Sequence, residues 1–130
     1  MDLKDLYARG LALRQKMFGT AAVEKRMQAF GEFGAPLQHI INAYAYGDVW
    51  SRKELPDSTR SLAMIGITAA INRPAELRVH VQGALANGCT PEQIREVLLL
   101  VTMYCGIPAA NDAHRVAYEV IQENAGRKAP

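Results

Sequence analysis

The sequence predicts an all-α fold, and three observations support this prediction. Apolar residues recur at intervals of three and four along nearly the whole chain, which is the spacing of one face of a helix. No stretch shows the sustained apolar–polar alternation that is typical of a half-buried strand. Glycine, proline and capping residues divide the chain into about six to seven helix-sized segments. At 130 residues the chain has the length of one ordinary domain, so we predict a single domain over 1–130, with a frayed tail at 125–130.

The first half of the chain contains three predicted helices, at residues 2–18, 20–30 and 36–46. Gly19 separates the first two helices, and Pro36 suits the first position of the third. The periodicity then fails between Gly47 and Thr59. We therefore interpret Gly47–Pro56, which holds the only tryptophan, as an ordered loop.

The second half contains four predicted helices, at residues 59–72, 74–88, 91–105 and 109–124. Asp57 or Ser58 caps the first of them, which is apolar on nearly all sides and is therefore expected to be central. Pro74 opens the next helix, and Gly88 is expected to end it with a left-handed backbone. The run Thr90–Gln93 combines an N-cap, a proline and a capping-box glutamine, which indicates a helix start.

The composition is that of a globular protein. With 49% hydrophobic and 22% charged residues, the chain has enough apolar material for a core. The 15 basic and 13 acidic residues give a formal net charge of +2, and the basic residues are scattered. A dedicated surface for nucleic acid is therefore not expected.

Neither the apolar runs nor the cysteines indicate a membrane or secreted protein. The longest nearly apolar runs, at 61–71 and 97–110, are shorter than the roughly 20 residues that span a bilayer. The charged start Met1–Asp5 does not resemble a signal peptide, so we expect a cytoplasmic protein. Cys89 and Cys105 form neither a C-x-x-C pair nor a metal-ligand pattern, and we interpret both as small buried hydrophobes.

The segment Asn72–His80 is the first candidate site. On the predicted helix, Arg73, Glu76 and His80 fall at i, i+3 and i+7 and share one face. That face borders an apolar stripe, so we expect His80 where the core meets a cleft. A glutamate one turn before a histidine orients the imidazole and favours its protonated form, which prepares a proton donor. An ordinary pair on the helix surface is the alternative interpretation.

Trp50 and nearby polar groups form the second candidate site. An aromatic wall beside the guanidinium groups of Arg52 and Arg60 suits a small planar acid with more than one carboxylate. Arg60 is the better candidate, because it stands in the first turn of an otherwise apolar helix. Asn111 follows a helix junction whose N–H groups suit an anion, and its amide adds a donor. The alternatives are that Trp50 fills the core, that the arginines are solvated, and that Asn111 only completes a helix start.

A metal centre is not expected from the histidines. Such a centre needs three or more convergent ligands. His39 and His114 lie on different predicted helices from His80, and neither has a carboxylate at ligand spacing.

Five blocks form an ordered pattern over most of the chain: Tyr44–Arg52, Thr59–Leu62, Glu76–His80, Asn87–Thr90 and Tyr104–Asn111. The pattern resembles the γ-carboxymuconolactone decarboxylase family, part of a wider group that contains the AhpD-like alkylhydroperoxidases. The resemblance implies that the peroxidases of this group carry the motif C-x-x-C-x-x-x-H on the helix that bears His80 in this chain. Arg73 and Glu76 stand at the two cysteine positions, so a thiol peroxidase mechanism has no nucleophile and no resolving thiol.

The resemblance implies an AhpD-like helical bundle that assembles into a ring-like hexamer, a trimer of dimers, with active sites near subunit contacts. Apolar residues at 62–71 and 97–103 independently favour self-association, because so small a chain has difficulty burying them all. The implied enzyme is a carboxy-lyase that needs no metal or organic cofactor. It converts γ-carboxymuconolactone, a dicarboxylate lactone, to the β-ketoadipate enol-lactone in aromatic (protocatechuate) catabolism.

The resemblance also suggests roles for the candidate residues. His80 is the implied proton donor, with Glu76 as its orienting partner. The implied substrate-binding residues are Arg60 and Arg73 for carboxylates, and Trp50 and Asn111 for the developing oxyanion.

The chain departs from the family pattern in two places. Residues 27–33 are less like it, and Tyr46 stands where a tryptophan is usual. Both differences affect the expected pocket. A paralogue acting on another small carboxylic acid or lactone is therefore the first alternative, and a non-catalytic helical oligomer is the second.

Overall fold

The computed structural model describes residues 1–128, and every regular element in that range is helical. The all-α prediction is therefore confirmed. The α-helices are α1 (Leu3–Phe18), α2 (Thr20–Gln28), α3 (Ala35–Ile40), α4 (Asp57–Ala70), α5 (Pro74–Ala86), α6 (Pro91–Cys105) and α7 (Ile107–Lys128). A 3₁₀ turn covers Gly31–Gly34, and a π-helix covers Ile41–Trp50. Within the described range, no helix combines the length and the apolar character that crossing a bilayer requires.

The helices form two compact units. The N-terminal unit is Met1–Asp57 and contains α1 to α3 and the π-helix. The C-terminal unit begins at Ser58 and contains nearly all of α4 together with α5, α6 and α7. The interpretation of residues 1–130 as one domain stays a prediction.

Two glycines in the N-terminal unit allow α1 and the π-helix to pack backbone against backbone. A Cβ atom on Gly10 would lie 1.6 Å from the carbonyl oxygen of Asn42, and one on Gly47 would lie 2.1 Å from that of Leu6. Both distances are far below van der Waals contact, so only glycine fits at either position. Arg9 adds a polar contact, because its Nε and Nη2 donate to the Gly47 carbonyl oxygen at 2.9 and 2.6 Å. That oxygen lies near the end of the helix, where carbonyls lack intrahelical partners.

The C-terminal unit is built around a core of aliphatic and small side chains. Alanines on α5 and α7 allow close packing between helices. Arg78 on α5 forms ion pairs with Glu119 and Glu123 on α7, and its hydrogen bond to Glu123 lowers the pKa of that carboxyl. The core residues are Ile65, Ala69, Leu77, Val81, Ala84, Cys89, Ile94, Leu98, Val101, Ala113, Ala117 and Val120.

The predicted junction between α5 and α6 is confirmed. Gly88 follows the end of α5 with φ 90°, the left-handed backbone expected of a C-terminal glycine. Thr90 Oγ1 accepts from the Gln93 N–H at 3.1 Å, and Gln93 Oε1 accepts from the Thr90 N–H at 2.9 Å. This reciprocal pair is the capping box that the sequence predicts.

The interpretation of Gly47–Pro56 as a loop is wrong for its first part. Helix α3 continues directly into the π-helix, which ends only at Trp50. The buried polar or aromatic residues Asn42, Tyr46 and Trp50 recur at every fourth position. Because hydrogen bonds in a π-helix join residues five apart, its turn is wider than that of an α-helix. Glycine at position 47 indicates a turn by its residue type, whereas the structure uses it for the close contact with α1.

Several predicted helix ends are displaced by a few residues. Helix α2 ends at Gln28, two residues early, before a turn in which Gly31 has φ 53°. Helix α4 includes its two predicted cap residues and ends at residue 70, two residues before Asn72 with φ 58°. Helix α7 starts two residues early, at Ile107, and continues to Lys128. The predicted fraying of the tail at 125–130 stays a prediction, and residues 129 and 130 lie outside the described residues.

Helix α4 is not the fully central helix that its apolar sequence predicts. Its buried residues are Ser61, Ile65, Thr68 and Ala69, whereas Ile67 is 51% exposed. The prediction is wrong because composition shows which sides of a helix are apolar but not which of them has a neighbour. One apolar side of α4 consequently stays at the surface of the chain.

Candidate active site

His80 lies on the buried face of α5. Pro74 starts this helix, and Leu77, Val81 and Ala84 form with His80 a stripe at helical spacing. The histidine is only 7% exposed, and its Nδ1 atom is shielded from solvent. The imidazole is therefore sheltered from bulk water, while the cleft expected beside it stays a prediction. A proton donor in such a position reacts with a bound ligand in preference to solvent.

Arg73 and Glu76 differ from His80, because both are exposed. Arg73 precedes α5 with φ −119° and ψ 78°, so the prediction that it shares a helix face with the other two is wrong. It borders a small depression that is also lined by Asp112 of α7. Glu76 is in the first turn of α5, one turn before His80. Its role as the orienting partner of the imidazole stays a prediction.

Arg60 lies in the first turn of α4, half-buried, with its Nε shielded from solvent. Two hydrogen bonds fasten this turn to the segment that follows α5. Asn87 Nδ2 donates to Ser61 Oγ at 3.0 Å, and Cys89 Sγ donates to the Ser58 carbonyl oxygen at 3.4 Å. The backbone on both sides of Arg60 is thus held by contacts within the C-terminal unit, which limits where the guanidinium group can lie.

Trp50 ends the π-helix of the N-terminal unit. It is 7% exposed and stacks on Tyr46, with ring centroids 5.5 Å apart and 17° between the planes. Tyr46 meets Phe18 edge to face, with centroids 6.1 Å apart. Arg52, just beyond the helix, is exposed and pairs with Asp48 at 3.1 Å. Trp50 is therefore part of the buried core of the N-terminal unit, as the alternative interpretation expects, and its role as an aromatic wall for a ligand stays a prediction. Arg52 belongs to the solvated surface.

Asn111 lies on α7, one turn after the helix begins, and is exposed. The alternative that it caps the helix start is wrong. Gly106, with φ 97°, precedes the first residue, and its carbonyl oxygen accepts from the Ala110 N–H at 3.2 Å. The predicted contact of the Asn111 amide with an oxyanion stays a prediction.

These side chains supply organic acid–base and anion-binding chemistry. His80 can give a proton, Arg60 can bind a carboxylate through paired hydrogen bonds, and Trp50 carries an indole N–H donor. Among residues 1–128, no three side chains of His, Cys, Asp or Glu lie close enough to hold a metal ion together.

Comparison with known proteins relates the chain to a family. The sequence model of the Carboxymuconolactone decarboxylase family matches residues 35–119, a range that contains all six candidate site residues. The chain belongs to this family. The resemblance predicted from the five sequence blocks is therefore confirmed.

Two proteins with sequences similar to this chain are named as decarboxylases. The chain is 35% identical over 123 residues to 4-carboxymuconolactone decarboxylase of Acinetobacter baylyi. The aligned region covers 95% of this chain and 92% of that protein. It is 33% identical over 118 residues to nitrosuccinic acid decarboxylase of Metarhizium robertsii, covering 91% of this chain and 82% of that protein. The similarity therefore extends across both compact units.

Sequence reasoning missed Arg14, which is 4% exposed in the N-terminal unit of this family member. Burial lowers the pKa of Arg14, and the charge of nearby Arg26 acts in the same direction. A signal was available in the sequence. Arg14 stands four residues after Gly10 and three before Met17, which are the other buried residues of α1. A charge at a position of the buried face needs specific partners.

The two cysteines of the chain have different surroundings. Cys89 is buried, and burial raises the pKa of its thiol. Cys105 is exposed, so the interpretation of both as buried is wrong for Cys105, which occupies the last position of α6. A thiol whose pKa is raised has little thiolate at neutral pH and is a poor nucleophile.

We expect a variant with both Cys89→Ser and Cys105→Ser to keep a kcat near that of the parent protein. Serine at position 89 retains a donor for the Ser58 carbonyl oxygen. Decarboxylation is measured alongside the far-ultraviolet circular dichroism spectrum, with Cys105→Ser alone as the matched control. Loss of turnover in a folded double variant would restore a thiol-based mechanism.

Proposed function

We propose that this chain is a cofactor-independent carboxy-lyase that converts γ-carboxymuconolactone to the β-ketoadipate enol-lactone. The observation that carries the proposal is the 35% identity to 4-carboxymuconolactone decarboxylase over 95% of the chain. The sheltered imidazole of His80 and the half-buried guanidinium of Arg60 support it, because the reaction needs a proton donor and anion-binding groups. We propose that the enzyme acts in the cytoplasm, in the catabolism of aromatic compounds through protocatechuate.

The chemistry of the substrate defines what the protein must do. The departing carboxylate is conjugated through a C=C bond with the lactone carbonyl. When the C–C bond to the carboxylate breaks, CO2 leaves and the electron pair spreads onto the carbonyl oxygen as a dienolate. Protonation at the carbon next to the carbonyl then gives the enol-lactone. The protein must therefore stabilise one oxyanion and supply one proton to carbon.

We assign the proton to His80 and its orientation to Glu76, one turn earlier on α5. A positioned proton donor contributes typically about 10²–10⁴ in rate. The buried face of α5 keeps water from the imidazole, so the proton goes to the dienolate carbon.

The remaining candidates bind the anionic groups. Arg60 and Arg73 are assigned to carboxylates, and a guanidinium group suits them because it donates two parallel hydrogen bonds. The Trp50 indole N–H or the Asn111 amide donates to the developing oxyanion, where one positioned donor is worth about 3–4 kcal/mol.

A second candidate function follows from the similarity to nitrosuccinic acid decarboxylase. Nitrosuccinate is also a small dicarboxylic acid, and its nitro group can accept the electron pair that CO2 leaves behind. The same residues would then protonate carbon and hold the second carboxylate. The difference lies in the electron-accepting group, which the pocket has to accommodate.

Incubation of purified protein with γ-carboxymuconolactone tests the proposal. We expect CO2 release and enol-lactone formation well above those in buffer. A parallel incubation with nitrosuccinate tests the second candidate, and the His80→Ala protein, prepared identically, controls for contaminating enzymes. Turnover of nitrosuccinate alone would replace the first proposal with the second, and turnover of neither would contradict both.

Self-association, proposed as a hexamer, is supported by an exposed apolar patch on the C-terminal unit. The patch lies where α6 ends and α7 begins, and Met103, Tyr104 and Ile107 are 77%, 86% and 73% exposed. Leu100, one turn earlier on α6, is 61% exposed. Contiguous apolar surface of this kind is typical of protein interfaces.

We expect Met103→Glu to shift the protein to a smaller species in size-exclusion chromatography with light scattering. A buried unpaired carboxylate at a subunit contact costs several kcal/mol, which is enough to separate subunits at micromolar concentration. Gln122→Glu, which adds the same charge at an exposed polar position of α7, is the matched control. An unchanged mass for Met103→Glu would exclude this patch as the interface.

A further inference from the structure

Arg14 lies on the buried face of α1 and contacts one continuous helical surface. Its Nη1 donates to Gln38 Oε1 at 3.0 Å and to Asn42 Oδ1 at 2.7 Å. Its guanidinium carbon lies 5.8 Å from the centroid of the Tyr46 ring. The three partners are four residues apart along α3 and the π-helix, so the guanidinium spans successive turns.

The row of partners leads to Trp50. It follows Tyr46 by another four residues, and the two rings are stacked with centroids 5.5 Å apart. Arg14 therefore contacts the Tyr46 ring, and Tyr46 stacks on Trp50, whose indole is the proposed oxyanion donor. The planar guanidinium favours this combination, because it can bind amide oxygens at its edge while its charge faces an aromatic ring.

No carboxylate of the described residues forms an ion pair with Arg14, whose hydrogen-bond acceptors are the amide oxygens of Gln38 and Asn42. Burying a guanidinium group among neutral partners is costly. A leucine or methionine would fill the same space on α1 without that cost. The cationic group is therefore explained by what it does to the row Gln38–Asn42–Tyr46.

We propose that Arg14 is a positioning residue that orients the indole of Trp50 through the ring of Tyr46. It holds the Tyr46 ring from one side, and Tyr46 supports Trp50 by stacking. Where the indole N–H serves as a donor to substrate, this inference rests on the proposed function. The orientation of the indole itself does not depend on the reaction.

The single tryptophan of the chain gives a direct readout of this role. We expect Arg14→Lys to change the fluorescence maximum and the near-ultraviolet circular dichroism of Trp50 while the far-ultraviolet spectrum stays as in the parent. Lysine keeps the charge but lacks the planar fork that reaches both amides and the ring. Arg9→Lys is the matched control, because Arg9 also joins α1 to the π-helix but bonds only the Gly47 carbonyl oxygen. Its Trp50 signals are expected to match those of the parent.

A double-mutant cycle separates positioning from general support of the fold. Tyr46→Leu removes the ring between Arg14 and Trp50, so Arg14→Lys is expected to cause no further spectral change in that background. Equal changes in both backgrounds would overturn the proposal, because Arg14 would then act on Trp50 by another route. An unaltered Trp50 signal in folded Arg14→Lys would overturn it as well. If Arg14→Lys fails to fold, Arg14→Gln, which retains a planar donor group, takes its place in the cycle.

Enzyme kinetics test the part of the proposal that depends on the proposed function, namely the link between Arg14 and the reaction. With γ-carboxymuconolactone we expect Arg14→Lys to reduce kcat/KM by about fivefold, which corresponds to the loss of one cation–π contact. Arg9→Lys is again the control. Turnover by the parent together with an unchanged kcat/KM would restrict Arg14 to the spectroscopic effect and overturn its link to the reaction. Absence of turnover by the parent would contradict the proposed function and leave the spectral test intact.

Discussion

The His80→Ala variant is expected to lower kcat for the decarboxylation of γ-carboxymuconolactone by about 10²-fold or more. In the parent protein, the His80 imidazole lies on the buried face of α5, is 7% exposed and is assigned as the proton donor. Without it, protonation of the dienolate depends on water that has limited access. Initial rates of CO2 release at saturating substrate measure the effect.

Three further variants make this result specific. His80→Gln fills most of the space that alanine leaves empty and is expected to lose kcat to a similar degree, which separates chemistry from packing. Glu76→Gln is expected to lose less, because Glu76 acts through the imidazole. His114→Ala is the matched control, since His114 is half-buried on α7 and its Nδ1 lies 2.7 Å from the Ala110 carbonyl oxygen. A near-parent kcat for folded His80→Gln would remove His80 from the mechanism.

Gly47→Ala and Gly10→Ala are each expected to destabilise the N-terminal unit by about 3 kcal/mol or more, at or above the upper end of overpacking effects. The new Cβ atom would meet backbone, 2.1 Å from the Leu6 carbonyl oxygen or 1.6 Å from that of Asn42. Backbone cannot move aside as a flexible side chain can, so α1 and the π-helix must separate. Urea denaturation followed by Trp50 fluorescence measures the loss, because Trp50 is in the same unit.

Gly126→Ala is the matched control, because the same substitution is expected to raise the free energy of unfolding instead of lowering it. Gly126 is inside α7, and a Cβ there has nothing within 4 Å. Alanine lowers the entropy of the unfolded chain and is expected to stabilise the helix by up to about 1 kcal/mol. Far-ultraviolet circular dichroism follows this variant, because Gly126 and Trp50 lie in different units. If Gly47→Ala unfolded at the same urea concentration as the parent, the close contact between the two backbones would be wrong.

Local patterns predicted most of the helices. The capping box at Thr90–Gln93 and the left-handed Gly88 were predictable because they depend on residues next to each other in the chain. The family was predictable because its blocks of residues occur in order, from Tyr44 to Asn111. The position of His80 followed from its place beside an apolar stripe.

The errors concern features that depend on neighbours far along the chain. The interpretation of Trp50 as part of a loop was wrong because Gly47, a residue type common in turns, is used here for the close contact with α1. Cys105 was assigned to the core because its type is commonly buried, although no packed neighbour covers it. Arg14 was overlooked because its amide and ring partners lie 24 to 32 positions later in the sequence.

The sequence by itself determined the all-α class, the helix junctions with strong caps, and membership of the carboxymuconolactone decarboxylase family. Each of these is encoded in short-range spacing or in residue order. The tertiary structure alone decided that Arg14 contacts Tyr46, that hydrogen bonds from Asn87 and Cys89 fasten the turn bearing Arg60, and that Glu76 is exposed while His80 is buried. These features arise when packed helices bring distant residues into contact, and the free energy of such contacts depends on burial that no local pattern records.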